Sequence, residues 1–331
     1  MKNTQIITVA SYFGTGSSAV TDYLREFSSV ESTGDFEFRF AHDPDGLSEL
    51  EFNLIENFNR HNSGHAIKRY KKLVDYYSSH WFAKRYERFF YGEWEKISYE
   101  YIDSLISFRY PGIWHYDLYD KGFYFDLIYR LILRVAKYLH FGGIGNLWTD
   151  VTYASALTEE EFLRITKIYT SKLINIINKK QKPYVVLDQL MPSSNIYRHS
   201  RYFDNIKIFL VDRDPRDLFI SSKYIWKDNV VPKEVDLFCQ WYIYNRMTQK
   251  TEMTNKNVMF IQFEDLLYSY SKTTDKIKRW IGLDEEEHIY KKKYFVPEIS
   301  INNTRLWEKK YPCLNEISYI EKVLHEYLYV F

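Results

Sequence analysis

Four apolar runs rich in β-branched residues constrain the fold of this 331-residue chain more than any other feature. They are "QIITVA" at 5–10, "PYVVLD" at 183–188, "IKIFLVD" at 206–212 and "NVMFIQF" at 257–263. Each run is continuously apolar rather than alternating, which is typical of strands covered on both faces of a parallel sheet. The runs therefore predict an α/β fold, with a parallel sheet flanked by helices.

Helical patterns separate these predicted strands, because parallel neighbours need long crossover connections. We expect helices over 18–27, 159–178, 215–226, 235–255 and 268–281. This alternation is typical of a doubly wound α/β domain. We interpret residues 1–331 as a single domain of this kind.

Residues from about 50 to 147 interrupt the alternation between the first two predicted strands. The segment is helical in pattern and rich in aromatic residues, as in "YRLILRVAKYLHFGG" at 129–143. We interpret it as a helical insertion on the acceptor side, over the ligand edge of the sheet. Its amphipathic stretch is compatible with peripheral contact with a membrane, but we expect its apolar face to pack on the core.

Composition excludes several classes of protein. The net charge of +1 balances 45 basic against 44 acidic residues, so no nucleic-acid partner is expected. The two cysteines, Cys239 and Cys313, have neither disulfide-framework nor metal-site spacing, which favours a reducing cytoplasm. No window approaches the roughly 18 apolar residues of a membrane span, and the apolar N-terminal run is too short for a signal peptide. The oligomeric state is left open.

The stretch "SYFGTGSSAVTDYL", which begins at Ser11, follows the first predicted strand and leads into a helix. Gly14 and Gly16 allow a tight turn in which backbone N–H groups and the helix N-terminus converge on an anion. Ser17 stands where a GxxxxGK[ST] loop has its lysine, and this disfavours ordinary ATP or GTP hydrolysis. Taken alone, the stretch also fits a purely structural turn.

A second element, "IFLVDRDPRDLFISSKY" at 208–224, supports an anion site. Asp214 can cap the helix that begins at the following proline, which places Arg213 at the carboxyl edge of the strand. Ser221 lies in the second turn of that helix, so a guanidinium and a hydroxyl can grip one phosphate together. The alternative for Arg213 is a surface ion pair with Asp214 or Asp217.

These elements resemble the bacterial members of the sulfotransferase family that uses 3′-phosphoadenylyl sulfate (PAPS). "GTGSSAVTDYL" resembles the family's 5′-phosphosulfate loop, and Arg213 with Ser221 eight residues later resembles its 3′-phosphate element. "VMFIQFEDLLYSYSKTTDKIKRWIGLD" at 258–284 is similar to its late strand and helix, and "SINNTRLWEK" at 300–309 to the loop over the nucleotide. The matches cover the start of the chain and most of 180–310.

The resemblance implies a P-loop-like sulfotransferase fold and PAPS as co-substrate, without a metal. It implies a loop at Gly14 whose N–H groups from Thr15 through Gly16, Ser17 and Ser18 to Ala19 hold the 5′-phosphosulfate. Arg213 and Ser221 would bind the 3′-phosphate, with Arg305 as a further clamp. Glu264 and Asp265 of the late strand motif are expected to hold the loop or helix ends.

The sequence departs from the family where a basic residue usually stands, two residues before the glycine of the loop core. Here that position is Gly14. Either backbone donors and serine hydroxyls serve alone, or a cation comes from elsewhere in the chain. The candidates are Arg39, Arg216, Lys223 and Arg305. An inactive nucleotide-binding protein and a P-loop kinase or NTPase are the alternative functions.

Transfer to an acceptor hydroxyl or amine calls for a general base. Asp188, at the end of "PYVVLD", is the first candidate, although it could also cap a turn. His42, in "FRFAHDPDG" at 38–46, is the second, with a structural role as its alternative. The acceptor is expected to be a small molecule or glycan, or a lipid or sterol alcohol, because aromatic rings stack on sugars and also bury apolar groups. The candidate rings are Trp81, Phe82, Trp94, Trp114, Tyr116, Phe123 and Phe125.

Overall fold

The computed structural model describes residues 4–79, 86–112, 115–139, 150–309, 311 and 313–331. It divides into a unit of Met1–His42 and Ile174–Phe331, here the sheet unit, and a unit of Asp43–Leu173, here the helical unit. The strands are β1 (Gln5–Ser11), β2 (Val30–Glu37), β3 (Phe108–Gly112), β4 (Asp150–Ala154), β5 (Tyr184–Asp188), β6 (Ile206–Asp212) and β7 (Val258–Gln262).

The α-helices are α1 (Ser17–Leu24), α2 (Leu47–Glu51), α3 (Arg60–Ser79), α4 (Trp94–Leu105), α5 (His115–Lys121), α6 (Phe123–Tyr138), α7 (Glu159–Ile177), α8 (Ile196–Ser200), α9 (Pro215–Ile220), α10 (Val235–Asn245), α11 (Gln249–Glu252), α12 (Asp265–Tyr268), α13 (Tyr270–Ile281), α14 (Pro297–Ser300) and α15 (Leu314–Val323). The π-helical segments are Phe52–Glu56 and Ser221–Trp226. The 3-10 turns are Glu285–Glu287, Ile301–Asn303, Leu306–Glu308 and His325–Tyr327.

The sheet unit contains a five-stranded parallel sheet with the order β2-β5-β1-β6-β7. The predicted α/β class, with a parallel sheet flanked by helices, is confirmed. Strand β1 leads through α1 to the β2 side of the sheet, whereas β5 is followed by β6 on the other side of β1. The order therefore reverses at β1, and the carboxyl ends of β5, β1 and β6 lie at the position where open α/β sheets bind ligands.

Strand β2 was not predicted. Its sequence "VESTGDFE" is polar because most of its residues are half-exposed at one edge of the sheet, where β5 is its partner among the described strands. The pairing register also shifts between Ser32 and Glu37. An edge strand of this kind lacks the apolar run that identifies a buried strand.

Helix α1 packs its apolar face into the core beneath the loop that follows β1. Val20, Tyr23 and Leu24 have no exposed surface, and they lie in one cluster with Val9 of β1 and Phe209 of β6. Burial of each such side chain contributes about 1.5–3 kcal/mol. This packing fixes the N-terminus of α1 at the carboxyl edge of the sheet.

The helical unit has its own aromatic core. Trp94 is fully buried, and its Nε1–H donates to the carbonyl of Val74 at 3.2 Å. Strands β3 and β4 form a separate antiparallel pair in this unit. The predicted placement of this segment over the ligand edge, and the predicted single domain, stay predictions.

Helix α6 corrects the expectation for the segment at 129–143. We expected its apolar face to pack on the core, but only Tyr129 and Ala136 of this helix are buried among the described residues. Leu131, Ile132 and Val135 are 49%, 48% and 57% exposed. The helical period was predicted correctly, but the apolar face is turned to solvent.

Candidate nucleotide site at the carboxyl edge of the sheet

The loop after β1 depends on its glycines. Gly14 and Gly16 have φ angles of 72° and 90°, in the left-handed region that L side chains rarely adopt. A Cβ atom on Gly16 would lie 2.6 Å from Cδ2 of Phe263. Both conformation and close packing therefore require glycine at position 16.

Thr15 anchors this loop to the sheet. Its hydroxyl lies 2.8 Å from the carbonyl of Tyr12 and 2.9 Å from that of Val211 in β6, and the side chain is fully buried. Its backbone N–H also points to the carbonyl of Tyr12, at 3.3 Å. Thr15 thus supports the loop, and its N–H already has an acceptor.

The other N–H groups of the predicted cradle divide into two sets. Ala19 donates to the carbonyl of Gly16 at 3.1 Å. The N–H groups of Gly16, Ser17 and Ser18 have no hydrogen-bond acceptor among the described residues, and no described side chain caps α1. Unpaired donors at a helix N-terminus are the arrangement that binds an anion.

Arg213 and Ser221 come together as predicted. Nη2 of Arg213 donates to Oγ of Ser221 at 3.1 Å and to the carbonyl of Asn303 at 2.5 Å. Nη1 donates to the carbonyl of Gly14 at 3.3 Å, which ties the guanidinium to the loop after β1. The predicted elements after β1 and β6 therefore meet in one site.

The Arg213 guanidinium is buried and has no direct ion-pair partner among the described residues, although the charges of Asp217, Glu264 and Asp214 act on it. The residue is 4% exposed, its Nε has no hydrogen-bond partner, and no described carboxylate forms an ion pair with it. Burial lowers its pKa. The alternative of a surface ion pair is therefore wrong. Burial of a cation that no carboxylate pairs with directly is costly, so the site favours an anion in contact with the guanidinium.

Buried carboxylates accept backbone N–H groups of the segments next to Arg213. Asp214 caps α9 by accepting from the N–H of Arg216 at 2.9 Å, as its position before Pro215 predicts. Glu264 accepts from the N–H of Asp214 at 2.9 Å, and burial raises the pKa of Glu264 to about 8. Glu264 thus supports the loop after β6.

Asp217 orders the segment that contains Arg305. It accepts the N–H groups of Arg305 and Leu306 at 3.1 and 2.8 Å, and burial raises its pKa to about 7. No sequence pattern indicated this role. The side chain of Arg305 turns to Glu308 instead of Arg213 and Ser221, and its Nε lies 2.9 Å from a Glu308 oxygen.

A buried ion pair fixes the end of β6, directly before Arg213. Arg246 donates from Nε to Asp212 at 2.8 Å and from Nη2 at 2.5 Å. Gln249 adds a third donor to the same carboxylate at 2.7 Å. Asp212 is only 2% exposed, and these donors replace the water that its carboxylate would otherwise bind.

Asp188 lies at the end of β5, beside the loop after β1. Oδ1 accepts the N–H of Gln189 at 3.0 Å, and Oδ2 lies 3.4 Å from Oγ of Ser17. The residue is 2% exposed, and burial, followed by the charge of Glu37, raises its pKa to about 8. The carboxyl group thus titrates near neutral pH and lies next to the cradle.

His42 lies at the same edge. Its Nε2 is 2.8 Å from the carbonyl of Gln189, and its ring meets that of His199 edge-on at 6.2 Å between centroids. Burial lowers the pKa of His199 to about 4. The structure therefore brings both predicted base candidates to the residues that end β5.

The four candidate replacements for the loop lysine all pair with carboxylates. The ion-pair distances are 3.6 Å for Arg39–Glu37, 2.8 Å for Arg216–Asp214, 2.6 Å for Lys223–Glu316 and 2.5 Å for Arg305–Glu308. None of these cations contacts the N–H groups at the start of α1 in the described structure.

Two exposed aromatic residues beside the loop were missed in the sequence. Phe13 and Trp226 are 43% and 46% exposed, and their rings meet edge-on at 6.4 Å between centroids. Trp226 also packs against Gly14 and lies over the Arg213 guanidinium at 5.9 Å. Phe13 lies within the stretch that begins at Ser11, and Trp226 comes two residues after the element at 208–224, so only their positions could have indicated them.

The rings proposed for the acceptor are dispersed. Trp94 is a core residue, so its predicted role is wrong. Tyr116 lines a cavity of about 170 Å³ within the helical unit, Phe123 is 72% exposed and Phe125 is half-buried. Trp81, Phe82 and Trp114 lie outside the described residues.

The described residues include no group of three or more His, Cys, Asp or Glu side chains suited to hold a metal ion. Cys239 and Cys313 are buried free thiols. None of the helices in the described part of the chain has the length and apolar character needed to cross a membrane.

No family model and no curated protein sequence matches this chain. Solved structures do match. The sulfotransferase domain from the curacin biosynthetic pathway is 12% identical, with 99% of this chain and 100% of that chain covered and a TM-score of 0.43. Sulfotransferase STF1 from Mycobacterium tuberculosis H37Rv is 10% identical, over 91% and 76%, with a TM-score of 0.36. Retinol dehydratase in complex with androsterone and the inactive cofactor PAP is 14% identical, over 97% and 80%, with a TM-score of 0.36.

Proposed function

We propose that this protein binds PAPS at the carboxyl edge of its sheet and transfers the sulfuryl group to an acceptor hydroxyl or amine. The observation that carries the proposal is Arg213, a buried guanidinium that no described carboxylate pairs with directly, hydrogen-bonded to Ser221 and joined to the loop after β1. A 3′-phosphate on a nucleotide would supply a negative charge in direct hydrogen-bond contact with the guanidinium.

The loop after β1 supplies the second anchor point. The unpaired N–H groups of Gly16, Ser17 and Ser18 suit the 5′-phosphosulfate, and the dipole of α1 adds to the attraction. Two anion sites on neighbouring strands favour a nucleotide that carries phosphate groups at both ends. This chemistry distinguishes PAPS from ATP, whose phosphates form a single chain.

PAPS supplies the sulfuryl group, and the protein would position the acceptor and receive its proton. Asp188 is the proposed base, because its carboxyl lies beside Ser17 at the cradle and its raised pKa lies close to neutral pH. His42 is the second candidate, at the same edge, where its Nε2 lies 2.8 Å from the carbonyl of Gln189. The N–H groups of the loop would stabilise the negative charge on the departing nucleotide.

A non-catalytic nucleotide-binding protein is the second candidate function. The observation that favours it is the pairing of all four candidate cations with carboxylates, which leaves the departing oxygen to neutral donors. Such a protein would bind the nucleotide as tightly but would not turn it over. The acceptor class, a glycan or a lipid or sterol alcohol, belongs to the catalytic proposal alone.

Calorimetric titration with adenosine 3′,5′-bisphosphate tests the binding step. We expect Ser221→Ala to weaken binding about tenfold or more, because a hydrogen bond to a charged group contributes roughly 1.5–3 kcal/mol. Ser222→Ala is the matched control, since the hydroxyl of this neighbouring residue is buried but has no hydrogen-bond partner among the described residues. Equal affinities for the two variants, or tighter binding of ATP with magnesium, would refute the proposed site.

Turnover of labelled PAPS tests the catalytic step. The wild-type protein is offered oligosaccharides and lipid alcohols as acceptors, and Asp188→Asn is the comparison. A sulfated product that depends on Asp188 supports the enzyme. Tight bisphosphate binding without any product from either acceptor class would favour the non-catalytic protein.

A further inference from the structure

Helix α6 carries a broad apolar face that the rest of the described chain does not cover. Tyr124, Leu127, Ile128, Leu131 and Val135 are between 42% and 79% exposed. At 3.6 residues per turn, the exposed apolar positions from 124 to 139 span about 140° of the helix surface. This width exceeds the scattered apolar exposure of ordinary surfaces and marks a contact site.

Basic residues line one edge of this face. Arg130, Arg134 and Lys137 follow each other along the helix, all of them exposed. Arg130 pairs with Asp126 at 2.8 Å, whereas Arg134 and Lys137 have no ion-pair partner among the described residues. The edge therefore carries net positive charge beside the apolar face.

We propose that this face of α6 docks on an anionic lipid surface, with the helix lying in the plane of the membrane interface. An exposed apolar face, a cationic edge and aromatic residues are the combination that interfacial helices use. Phospholipid headgroups would neutralise Arg134 and Lys137 while the acyl boundary covers the apolar side chains. The formal charge of the whole chain, +1, does not predict this contact, which depends on local arrangement.

A second copy of the chain fits the same face less well. An antiparallel two-fold contact through α6 would place the basic edges of both copies on the same side, and like charges oppose such an approach. An anionic membrane instead complements that edge. Charge complementarity therefore selects the lipid surface over self-association.

Vesicle co-sedimentation of the full chain tests the proposal, using phosphatidylcholine vesicles with and without phosphatidylserine. We expect binding to the mixed vesicles that high salt weakens. Replacing Arg134→Gln and Lys137→Gln together should lower this affinity about 30-fold, at roughly 1 kcal/mol for each cation. Lys256→Gln with Lys276→Gln, two exposed lysines of the sheet unit, removes the same charge and should leave binding unchanged.

The apolar side chains have their own matched pair of variants. Leu131→Ser with Val135→Ser should lower vesicle affinity at least tenfold, because two apolar contacts with the acyl boundary are lost. Leu237→Ser with Leu314→Ser changes leucines that are 48% and 76% exposed elsewhere and should have no effect. Because all four side chains are exposed, thermal unfolding should change little in either variant.

Three results would overturn the proposal. They are the absence of vesicle binding, equal binding to vesicles without phosphatidylserine, and a dimer in solution that Leu131→Ser with Val135→Ser dissociates. Binding of adenosine 3′,5′-bisphosphate, measured on the same preparations, reports the nucleotide site separately. A failure of one proposal is therefore distinguishable from a failure of the other.

Discussion

The free energy of unfolding of Asp188→Asn should increase relative to that of wild type as the pH rises. Burial and the nearby charge of Glu37 raise the pKa of Asp188 from 3.8 to about 8. Between these two values the folded chain holds a proton on this carboxyl that the unfolded chain has released. Folding therefore takes up a proton, and the wild-type free energy of unfolding falls with pH at this site.

The magnitude follows from this linkage. One bound proton changes the free energy of unfolding by about 1.4 kcal/mol per pH unit, so the contribution of Asp188 falls by roughly 2.6 kcal/mol from pH 5 to pH 7. This contribution is fully present below the unfolded pKa and is lost as the pH rises through about 8. Asparagine has the same shape and can still accept from the N–H of Gln189, but it does not titrate.

Urea unfolding at pH 5 and pH 7 measures this contribution. We expect the stability of wild type minus that of Asp188→Asn to fall by roughly 2–3 kcal/mol between the two pH values. Asp236→Asn removes an exposed carboxylate from α10 and controls for the substitution itself. The reasoning is refuted if the difference between wild type and Asp188→Asn is the same at both pH values.

Three further predictions concern the loop, the end of β6 and the proposed base. In urea unfolding, Gly92→Ala should lower the free energy of unfolding by roughly 1–2 kcal/mol, and Gly16→Ala should lower it by clearly more. Both glycines have positive φ, but only a Cβ on Gly16 would collide with the ring of Phe263. Arg246→Met should lower the free energy of unfolding by about 3–5 kcal/mol, because it leaves the Asp212 carboxylate buried without its partner. Adding Asp212→Asn should restore most of this stability. A double variant that is no more stable than Arg246→Met would contradict the pairing. The kcat/KM for sulfuryl transfer should rise about tenfold from pH 6 to pH 7 and level off above about 8, because Asp188 must be ionised to accept a proton, and a flat profile would exclude it as the base.

The predicted strands correspond to β1, β5, β6 and β7 because each is buried on both faces and therefore continuously apolar. Strand β2 was not predicted, because its polar, half-exposed sequence contains no such apolar run. Helix limits were close to those predicted, except where a break separates α10 from α11. Sequence patterns thus identify the elements that burial shapes and miss those that only pairing shapes.

The site residues were predictable where the rule is positional. Asp188 and Arg213 follow directly from the ends of their strands, since parallel strands deliver those ends to one edge. The partners of Arg213 were not predictable, because the carbonyls of Gly14 and Asn303 are main-chain groups that any residue carries. These groups are also far away in sequence, at separations of 199 and 90 residues.

The α6 surface shows a different limit. An amphipathic period predicts a helix with one apolar face, but the same period fits a face against the core and a face against lipid. Only the positions of the surrounding elements decide between them. The described structure leaves Leu131 and Val135 exposed, which the sequence could not indicate.

A thermal-shift titration with adenosine 3′,5′-bisphosphate and adenosine 5′-monophosphate, on wild type and Arg213→Met, tests the central claim most directly. Ligand at about 100 times its dissociation constant adds roughly 2.7 kcal/mol, which raises the unfolding midpoint by several degrees. We predict that wild type shifts more with the bisphosphate than with the monophosphate, and that Arg213→Met loses this difference because the 3′-phosphate has lost its guanidinium. Equal shifts with both ligands in wild type, or a preference for the bisphosphate that survives in Arg213→Met, would contradict the account.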